Sequence, residues 1–208
     1  MLEELGRKFA RFTTNQVVRW PRAWPLFRAL TRAQFNRMAP AWDALRAPEA
    51  FGSLEAALDA LDLTPKRVLD LGTGTGRAAF LIAGRYPEAE VVGVDLAGEM
   101  LAEARRLTPP ELADRVRFEQ ADAEHLPYAG GSFELVTLAN MIPFFEELAR
   151  VTAPGGAVVF SFSGGPQTPI YVPPDTLRAR LAEQGFTDFA DFATGPGTAL
   201  VARKRPEA

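Results

Sequence analysis

Three glycines at alternate positions, Gly72, Gly74 and Gly76, follow an apolar run that ends at Leu71. Glycine is required where a backbone turns sharply or must let a ligand approach closely. A helix-like segment follows, and the free N–H groups of such a strand-to-helix turn favour polar or anionic ligands. Arg77 follows Gly76, so the dinucleotide pattern G-x-G-x-x-G fails. The turn is predicted to hold a nucleotide-like ligand, and a nicotinamide dinucleotide is disfavoured.

Three further predicted strands end in polar residues. Asp95 closes the second strand about 20 residues after the glycine turn, where such folds place an acid on ribose hydroxyls. Asp122 follows the third strand and Asn140 the fourth. Ligands of open α/β sheets bind outside the carboxyl ends of the strands, so these residues are predicted to share one site. Two simpler interpretations stay open, with Asp95 as a helix-capping residue and Asp122 as a turn residue.

From residue 66 onward, predicted strands alternate with predicted helices. Repeated strand–helix units imply a parallel sheet covered by helices on both faces, and the last two strands imply an antiparallel edge. The predicted strands cover residues 68–71, 91–94, 116–120, 133–138, 157–163, 187–192 and 198–203. The predicted helices cover residues 76–84, 98–107, 144–151 and 174–185.

Three ordered motifs together resemble the class I methyltransferases that depend on S-adenosylmethionine (SAM). Residues 70–76 resemble their motif I. Residues 122–136, with DAEHLPY and SFELV, resemble the D-A-x-x-L-P-[FY]…S-F-D-x-V signature of the UbiE-like small-molecule branch, and RVTAPGG at 150–156 resembles its R-V-L-x-P-G-G. The resemblance covers residues 66–163. It implies an α/β, Rossmann-like fold with a mostly parallel seven-stranded sheet and an antiparallel edge strand.

The resemblance also implies SAM as the cofactor and assigns residues to it. The glycine turn would pack against its amino acid part, and Asp70 would orient its ammonium group. Asp95 would hold the ribose, and Asp122 with the Ala123 N–H would bind the adenine between apolar side chains. The implied cofactor-binding residues are Asp70, Gly72, Thr73, Gly74, Gly76, Asp95, Leu96, Met100, Asp122, Ala123 and Asn140.

A sulfonium methyl group is already electrophilic, so such a protein mainly supplies binding, orientation and exclusion of water. A base is needed only where the acceptor must lose a proton. No catalytic residue is assigned, because His125, the only histidine, stands at a variable position of the family pattern. The chain contains no cysteine, and no metal is expected.

Residues 1–62 are predicted to form a helical N-terminal cap, and residues 63–208 the SAM-binding domain. The cap carries all three tryptophans, Trp20, Trp24 and Trp42, and many arginines. Several short helices are expected, broken at prolines 21, 25, 40 and 48. A further helix is expected to run from Ser53, as its N-cap, to about residue 61.

Three interpretations of the cap stay open. Its aromatic side chains could form an acceptor pocket over the cofactor, or they could be core while the arginines form a solvated face. The stretch could also bind RNA or an anionic surface, although its arginines are dispersed. The short segment 140–145 after the fourth strand suggests a more open site on that side, and the loop 164–171 could line the acceptor site.

The leading hypothesis is methyl transfer to a small organic acceptor by in-line displacement. Segment 140–143 is not the N-P-P-[FY] motif of amino-group methylases acting on nucleic acids, which makes a nucleic-acid substrate a weaker alternative. A SAM-binding protein without methyl transfer is the non-enzyme alternative. Formal net charge is −3 over 208 residues, so there is no global attraction to nucleic acid. We expect a cytoplasmic protein with no signal peptide and no membrane span; acceptor identity and oligomeric state are not predicted.

Overall fold

The structure is a computed structural model that describes residues 2–45 and 50–206. Its helices are α1 (Leu2–Arg19), α2 (Trp24–Met38), α3 (Gly52–Asp59), α4 (Arg77–Arg85), α5 (Gly98–Leu107), α6 (Phe145–Val151) and α7 (Pro174–Glu183). Its strands are β1 (Arg67–Leu71), β2 (Glu90–Asp95), β3 (Val116–Gln120), β4 (Phe133–Ala139), β5 (Thr152–Phe162), β6 (Phe186–Thr194) and β7 (Gly197–Lys204).

The seven strands form one sheet in the order β3-β2-β1-β4-β5-β7-β6. Strands β1 to β5 run parallel, and β7 lies antiparallel between β5 and β6. This confirms the predicted Rossmann-like class with its antiparallel edge. The order reverses between β1 and β4, and the crevice at such a reversal is where α/β sheets bind ligands.

Helices cover both faces of the sheet because the central strands are apolar on both sides. On one face Leu69 and Val136 pack with α6 and α7. On the other, Val68 and Leu135 pack with α3, α4 and α5. The sheet is therefore a rigid frame, and its strand ends are fixed points for a site.

Helix α3 differs from the prediction. Its N-cap is Phe51, while Ser53 lies inside the first turn and donates from its buried hydroxyl to the Thr198 carbonyl at 3.3 Å. The predicted Ser53 cap is wrong because a tertiary partner takes that hydroxyl. Since α3 packs against β5, β6 and β7, its packing favours a boundary before Gly52; the division at residue 62 stays a prediction.

The N-terminal segment forms two long helices where several short ones were predicted. Pro21 separates α1 from α2 as expected. Pro25 lies in the first turn of α2, where a missing N–H costs little, so it does not break a helix. Pro40 lies in a short 3-10 turn after α2. The break predicted at residue 48 lies outside the described residues.

The α1–α2 hairpin lies against the sheet domain through three kinds of contact. Val17 is buried in the core of one face. Arg7 and Arg11 donate to backbone carbonyls of residues 166–168. The Glu99 N–H in the first turn of α5 donates to Asn36 Oδ1 at 3.1 Å. We use "cap" below for residues 2–45.

A matched pair of glycine substitutions tests the packing behind the glycine turn. A Cβ on Gly93 would lie 2.7 Å from the Phe118 ring and 2.8 Å from Thr73 Oγ1, so Gly93→Ala should lower the free energy of unfolding by about 1–3 kcal/mol. In α4, a Cβ on Gly84 meets nothing within 4 Å. Gly84→Ala should therefore raise the free energy of unfolding by about 0.5–1 kcal/mol. Urea denaturation measures both, and equal effects would contradict the packing.

Candidate functional site

The glycine turn leads from β1 into α4 through left-handed backbone conformations. Gly72, Gly74 and Gly76 have φ of 74°, 56° and 82°, values that favour glycine. The N–H groups of Gly72 and Thr73 donate to the Val94 carbonyl at 2.8 and 3.0 Å. The turn is thus fastened to the end of β2 and held in one shape.

Asp70 braces the turn from behind. Its side chain is buried and accepts from the Thr73 hydroxyl at 2.7 Å and the Thr137 hydroxyl at 2.9 Å. Neither Asp70 nor Thr73 lines the cavity described below. Gly76 does not line it either, and a Cβ at this position would lie 2.7 Å from the Phe118 ring. These contacts give the three residues a structural task; their predicted roles toward the cofactor stay predictions.

Asp95 joins the glycine turn to α5. Its Oδ2 accepts from the Gly74 N–H at 2.9 Å and its Oδ1 from the Ala97 N–H at 2.8 Å. Burial raises the pKa of this carboxyl, and the backbone donors of Ala97 and Gly74 oppose the rise. A carboxylate can accept about four hydrogen bonds, so capping and ribose binding are compatible at Asp95.

Asp122 is held by the cap. Its Oδ1 accepts from Trp24 Nε1 at 2.8 Å and from the Glu124 N–H at 3.1 Å, and its Oδ2 from Arg28 at 3.1 Å. The Glu124 contact gives Asp122 a turn role as well. Asp122 does not line the cavity, so its predicted adenine contact stays a prediction that competes with the cap.

Asn140 fastens the ends of β4 and β5. Its Oδ1 accepts from the Ser163 N–H at 2.9 Å, and its Nδ2 donates to Ser163 Oγ at 3.1 Å. It has a φ of 56°, a conformation that asparagine tolerates better than most residues. The bonds to Ser163 hold Asn140 at the cavity wall.

A cavity of about 70 Å³ lies between the strand ends and the cap. Seven predicted site residues line it, namely Gly72, Gly74, Asp95, Leu96, Met100, Ala123 and Asn140. The rest of its wall includes Trp24, Thr31, Phe35, Trp42, Met141, Ile142 and Ile170. The cap aromatics and the loop 164–171, which contains Ile170, are candidates from the sequence for the acceptor side, whereas Thr31 is not assigned. Ligand pockets usually measure about 300 Å³ or more, so a cofactor and an acceptor can both enter only if side chains of the cap move outward.

The three cap tryptophans lie in different surroundings, so the pocket interpretation and the core interpretation do not apply equally to all of them. Trp24 is buried and lines the cavity, Trp42 also lines it, and Trp20 is 57% exposed. Met141 and Ile142 of the short segment after β4 line the cavity, and the expectation of a more open site on that side stays a prediction. His125 has an exposed side chain and does not line the cavity.

Asp43 holds the end of the cap against the glycine turn. It accepts from the Thr75 hydroxyl at 2.6 Å and from Arg77 Nε at 2.9 Å, where α4 begins. Trp42 Nε1 lies 3.4 Å from the point where a Cβ on Gly74 would stand. The cap therefore contacts the glycine turn itself.

Within residues 2–45 and 50–206, no group of acidic or histidine side chains could hold a metal ion. In the same part of the chain, no helix is long and apolar enough to cross a membrane.

Comparison with known proteins identifies the domain that carries this site. Residues 68–156 match the family described as Methyltransferase domain. A demethylmenaquinone methyltransferase of Thermus thermophilus is 44% identical over 60% of this chain and 62% of its own length. A malonyl-[acyl-carrier protein] O-methyltransferase of Halorhodospira halophila is 41% identical over 68% of this chain and 50% of its own. Human N-acetylserotonin methyltransferase, solved with SAM, has a TM-score of 0.63 at 20% identity, over 84% of this chain and 56% of its own.

Residues 68–156 carry a methyltransferase domain. The chain is similar to SAM-dependent methyltransferases of the UbiE-like type. The chain spans less than two thirds of the length of the two curated relatives named above.

The residues at the strand ends fit SAM chemically. The Gly72 and Gly74 backbone at the wall lacks side chains that would keep a ligand away. The Asp95 carboxylate keeps acceptor capacity for a diol beside the apolar Leu96 and Met100.

Asp122→Ala tests whether Asp122 fastens the cap. Hydrogen bonds to a charged acceptor contribute about 1.5–3 kcal/mol, so removing them should increase the open population of the cap about tenfold or more. Trypsin should then cleave the arginine-rich cap of the folded variant faster by a similar factor. The control is Asp114→Ala, at an exposed aspartate. Equal cleavage of both variants would argue against the anchor.

Asp95→Asn tests ribose binding. The variant should bind SAM at least about tenfold more weakly by calorimetry, since it loses a charged acceptor.

Because burial raises the pKa of Asp95, protonation should weaken SAM binding to the native protein at a pH above the ordinary aspartate range. Protonation should also remove the cost of burying the charge. As the pH falls, the free energy of unfolding should therefore rise through Asp95 while the affinity for SAM falls. The asparagine variant should show neither trend. Affinity equal to that of an Asp114→Asn control would remove Asp95 from the binding site.

Proposed function

We propose that this protein transfers the methyl group of SAM to a small, largely apolar acceptor in the cytoplasm. The observation that carries the proposal is the cavity wall beyond the glycine turn. It is built mainly from aromatic and aliphatic side chains, and Asp95 is its only charged residue among those described. An apolar wall with few polar groups is typical of sites for small organic ligands.

The relatives offer two acceptor classes, and the composition of the wall supports one of them more than the other. The names of the two relatives give demethylmenaquinone, a quinone, and malonyl-[acyl-carrier protein], which presents a carboxylate. A buried carboxylate requires a cation or several donors, and the described wall contains no lysine or arginine. An aromatic ring of the quinol type suits Trp24, Phe35 and Ile170 better.

In this proposal the protein contributes position and exclusion of water. SAM, when bound, supplies an electrophilic sulfonium methyl group. The glycine turn and Asp95 orient the cofactor, while the aromatic side chains of the cap hold the acceptor in line and keep the site dry. The described wall offers no histidine, lysine or glutamate as a base, so we propose an acceptor that reacts as an electron-rich ring or in its own deprotonated form.

Binding titrations followed by an acceptor assay test this function. We expect micromolar binding of SAM and S-adenosylhomocysteine and no binding of NADH. The protein should then methylate a reduced short-chain naphthoquinone but not a malonyl thioester. Mass spectrometry detects the added methyl group. Binding of SAM without methyl transfer to any of a broad acceptor panel would favour the non-enzyme alternative. Methylation of RNA or DNA would favour the nucleic-acid alternative.

Thr31→Val tests the acceptor side of the cavity. The Thr31 hydroxyl is buried, lines the cavity and has no hydrogen-bond partner among the described residues. Valine has nearly the same shape, so it should stabilise the fold by about 1 kcal/mol by removing an unpaired hydroxyl. If that hydroxyl bonds the acceptor, kcat/KM should fall about tenfold while the SAM affinity stays unchanged. A variant with greater stability and unchanged kcat/KM would show that Thr31 does not contact the acceptor.

A further inference from the structure

The described residues with large, exposed apolar side chains all lie in the cap. Leu5 and Phe12 lie on α1, Trp20 in the turn after it, and Leu26 and Leu30 on α2. Their exposure runs from 53% for Phe12 to 77% for Leu26. A soluble domain scatters such residues singly, so this concentration requires an explanation.

The helical spacing puts two of these side chains on one exposed face of each helix. Leu26 and Leu30 are one turn apart on α2, and Leu5 and Phe12 are two turns apart on α1. The helices run antiparallel, since Gly6 lies beside Gln34 and the Phe12 ring meets the Phe27 ring edge-on at 5.9 Å. We call the surface of Leu5, Phe12, Leu26 and Leu30, with Trp20 at its end, the outer face of the cap.

The same segment is strongly cationic. Between residues 5 and 42 the sequence has eight lysines and arginines and no aspartate or glutamate, although the whole chain has a net charge of −3. Arg7, Arg11 and Arg28 bond to the sheet domain. The exposed cations that remain around the outer face are Arg19, Arg22, Arg32 and Arg37, together with Lys8, which is paired with Glu4 at 2.7 Å.

A tryptophan and an arginine lie together at the end of this face. The Arg19 guanidinium stands 5.1 Å from the centre of the Trp20 ring, and Arg22 follows within a turn. Tryptophan prefers the boundary between apolar chains and water. An arginine beside it can reach lipid phosphates while its stem stays in apolar surroundings.

We propose that the outer face of the cap binds the surface of an anionic lipid bilayer. Leucine, phenylalanine and tryptophan side chains enter the boundary between headgroups and acyl chains, and the arginines bind phosphates. Charge complementarity selects an anionic surface, and exposed leucines select lipid over RNA, which is bound through phosphates and base stacking. This binding does not require the proposed methyl transfer.

The position of this face gives the binding a consequence. Trp24, Thr31 and Phe35 on the inner side of α2 line the cavity, while Leu26 and Leu30 on the outer side point away from it. The bilayer would therefore lie one helix away from the site. If the proposed function holds, an apolar acceptor dissolved in the lipid would reach the site at that boundary.

Vesicle flotation of the full chain tests the proposal. The native protein should float with vesicles of equal parts phosphatidylcholine and phosphatidylglycerol at low salt. It should not float with phosphatidylcholine alone, and salt should release it. Leu26→Ser with Leu30→Ser should lower the vesicle partition coefficient about tenfold or more, because two apolar side chains leave the interface. Urea denaturation and SAM titration should show an intact fold and cofactor site in this variant.

Two double substitutions of arginine, one in the cap and one outside it, separate the effect of where the charges lie from the effect of the total charge on vesicle binding. Arg22→Gln with Arg37→Gln should weaken vesicle binding about tenfold or more, since each basic residue near the surface contributes to it. Arg85→Gln with Arg117→Gln removes two exposed arginines outside the cap and should leave binding unchanged. Equal losses in the two pairs would overturn the proposal, as would a native protein that ignores anionic vesicles at low salt. Vesicle binding that does not depend on Leu26 and Leu30, or equal retention on RNA, would also overturn it.

Discussion

The Asp95 carboxylate holds together the two backbone segments on which the cavity depends. One of its oxygens binds the Gly74 N–H and the other binds the Ala97 N–H at the start of α5. Both donors belong to chain segments that leave the sheet at its carboxyl edge, where backbone N–H groups lack strand partners. Burial raises the pKa of this carboxyl, and the backbone donors of Ala97 and Gly74 oppose the rise.

The shape of the glycine turn follows from contacts around this carboxylate. The Asp70 carboxylate accepts a hydrogen bond from the Thr73 hydroxyl, and the Val94 carbonyl accepts hydrogen bonds from two N–H groups of the turn. Gly93 leaves room for Thr73 and Phe118 to approach β2 closely. Glycine is thus required at Gly93, a position that does not line the cavity. The glycine motif of the sequence combines two residues that line the cavity, Gly72 and Gly74, with a residue that allows close packing against Phe118, Gly76.

The sequence predicts the frame well and the cap poorly, for physical reasons. Strand β3 and helix α5 have the predicted bounds, since their patterns are local and their apolar faces meet a buried sheet. Ser53 was misassigned because its partner, Thr198, is distant in sequence and visible only in the fold. The contact of Asp122 with Trp24 joins residues 98 positions apart, so a family motif that assigns Asp122 to adenine gives no sign of a competing tryptophan. The aromatic content of the cap pointed to the cavity, but no periodicity showed which tryptophan would line it.

The cap is held by fewer buried contacts than the sheet. Val17 and Trp24 of the cap are buried, but the ion pairs of Arg28 with Asp122 and of Arg77 with Asp43 are about half exposed on their arginine side, and such pairs contribute about 0–1 kcal/mol each. The strands are held by many fully buried apolar side chains such as Phe133 and Phe160. Opening the cap therefore disrupts fewer buried contacts than disturbing the sheet. The cavity of about 70 Å³ is small for a cofactor and an acceptor together, and the cap is the part of its wall with the fewest buried contacts, so the cap is where we expect the cavity to widen.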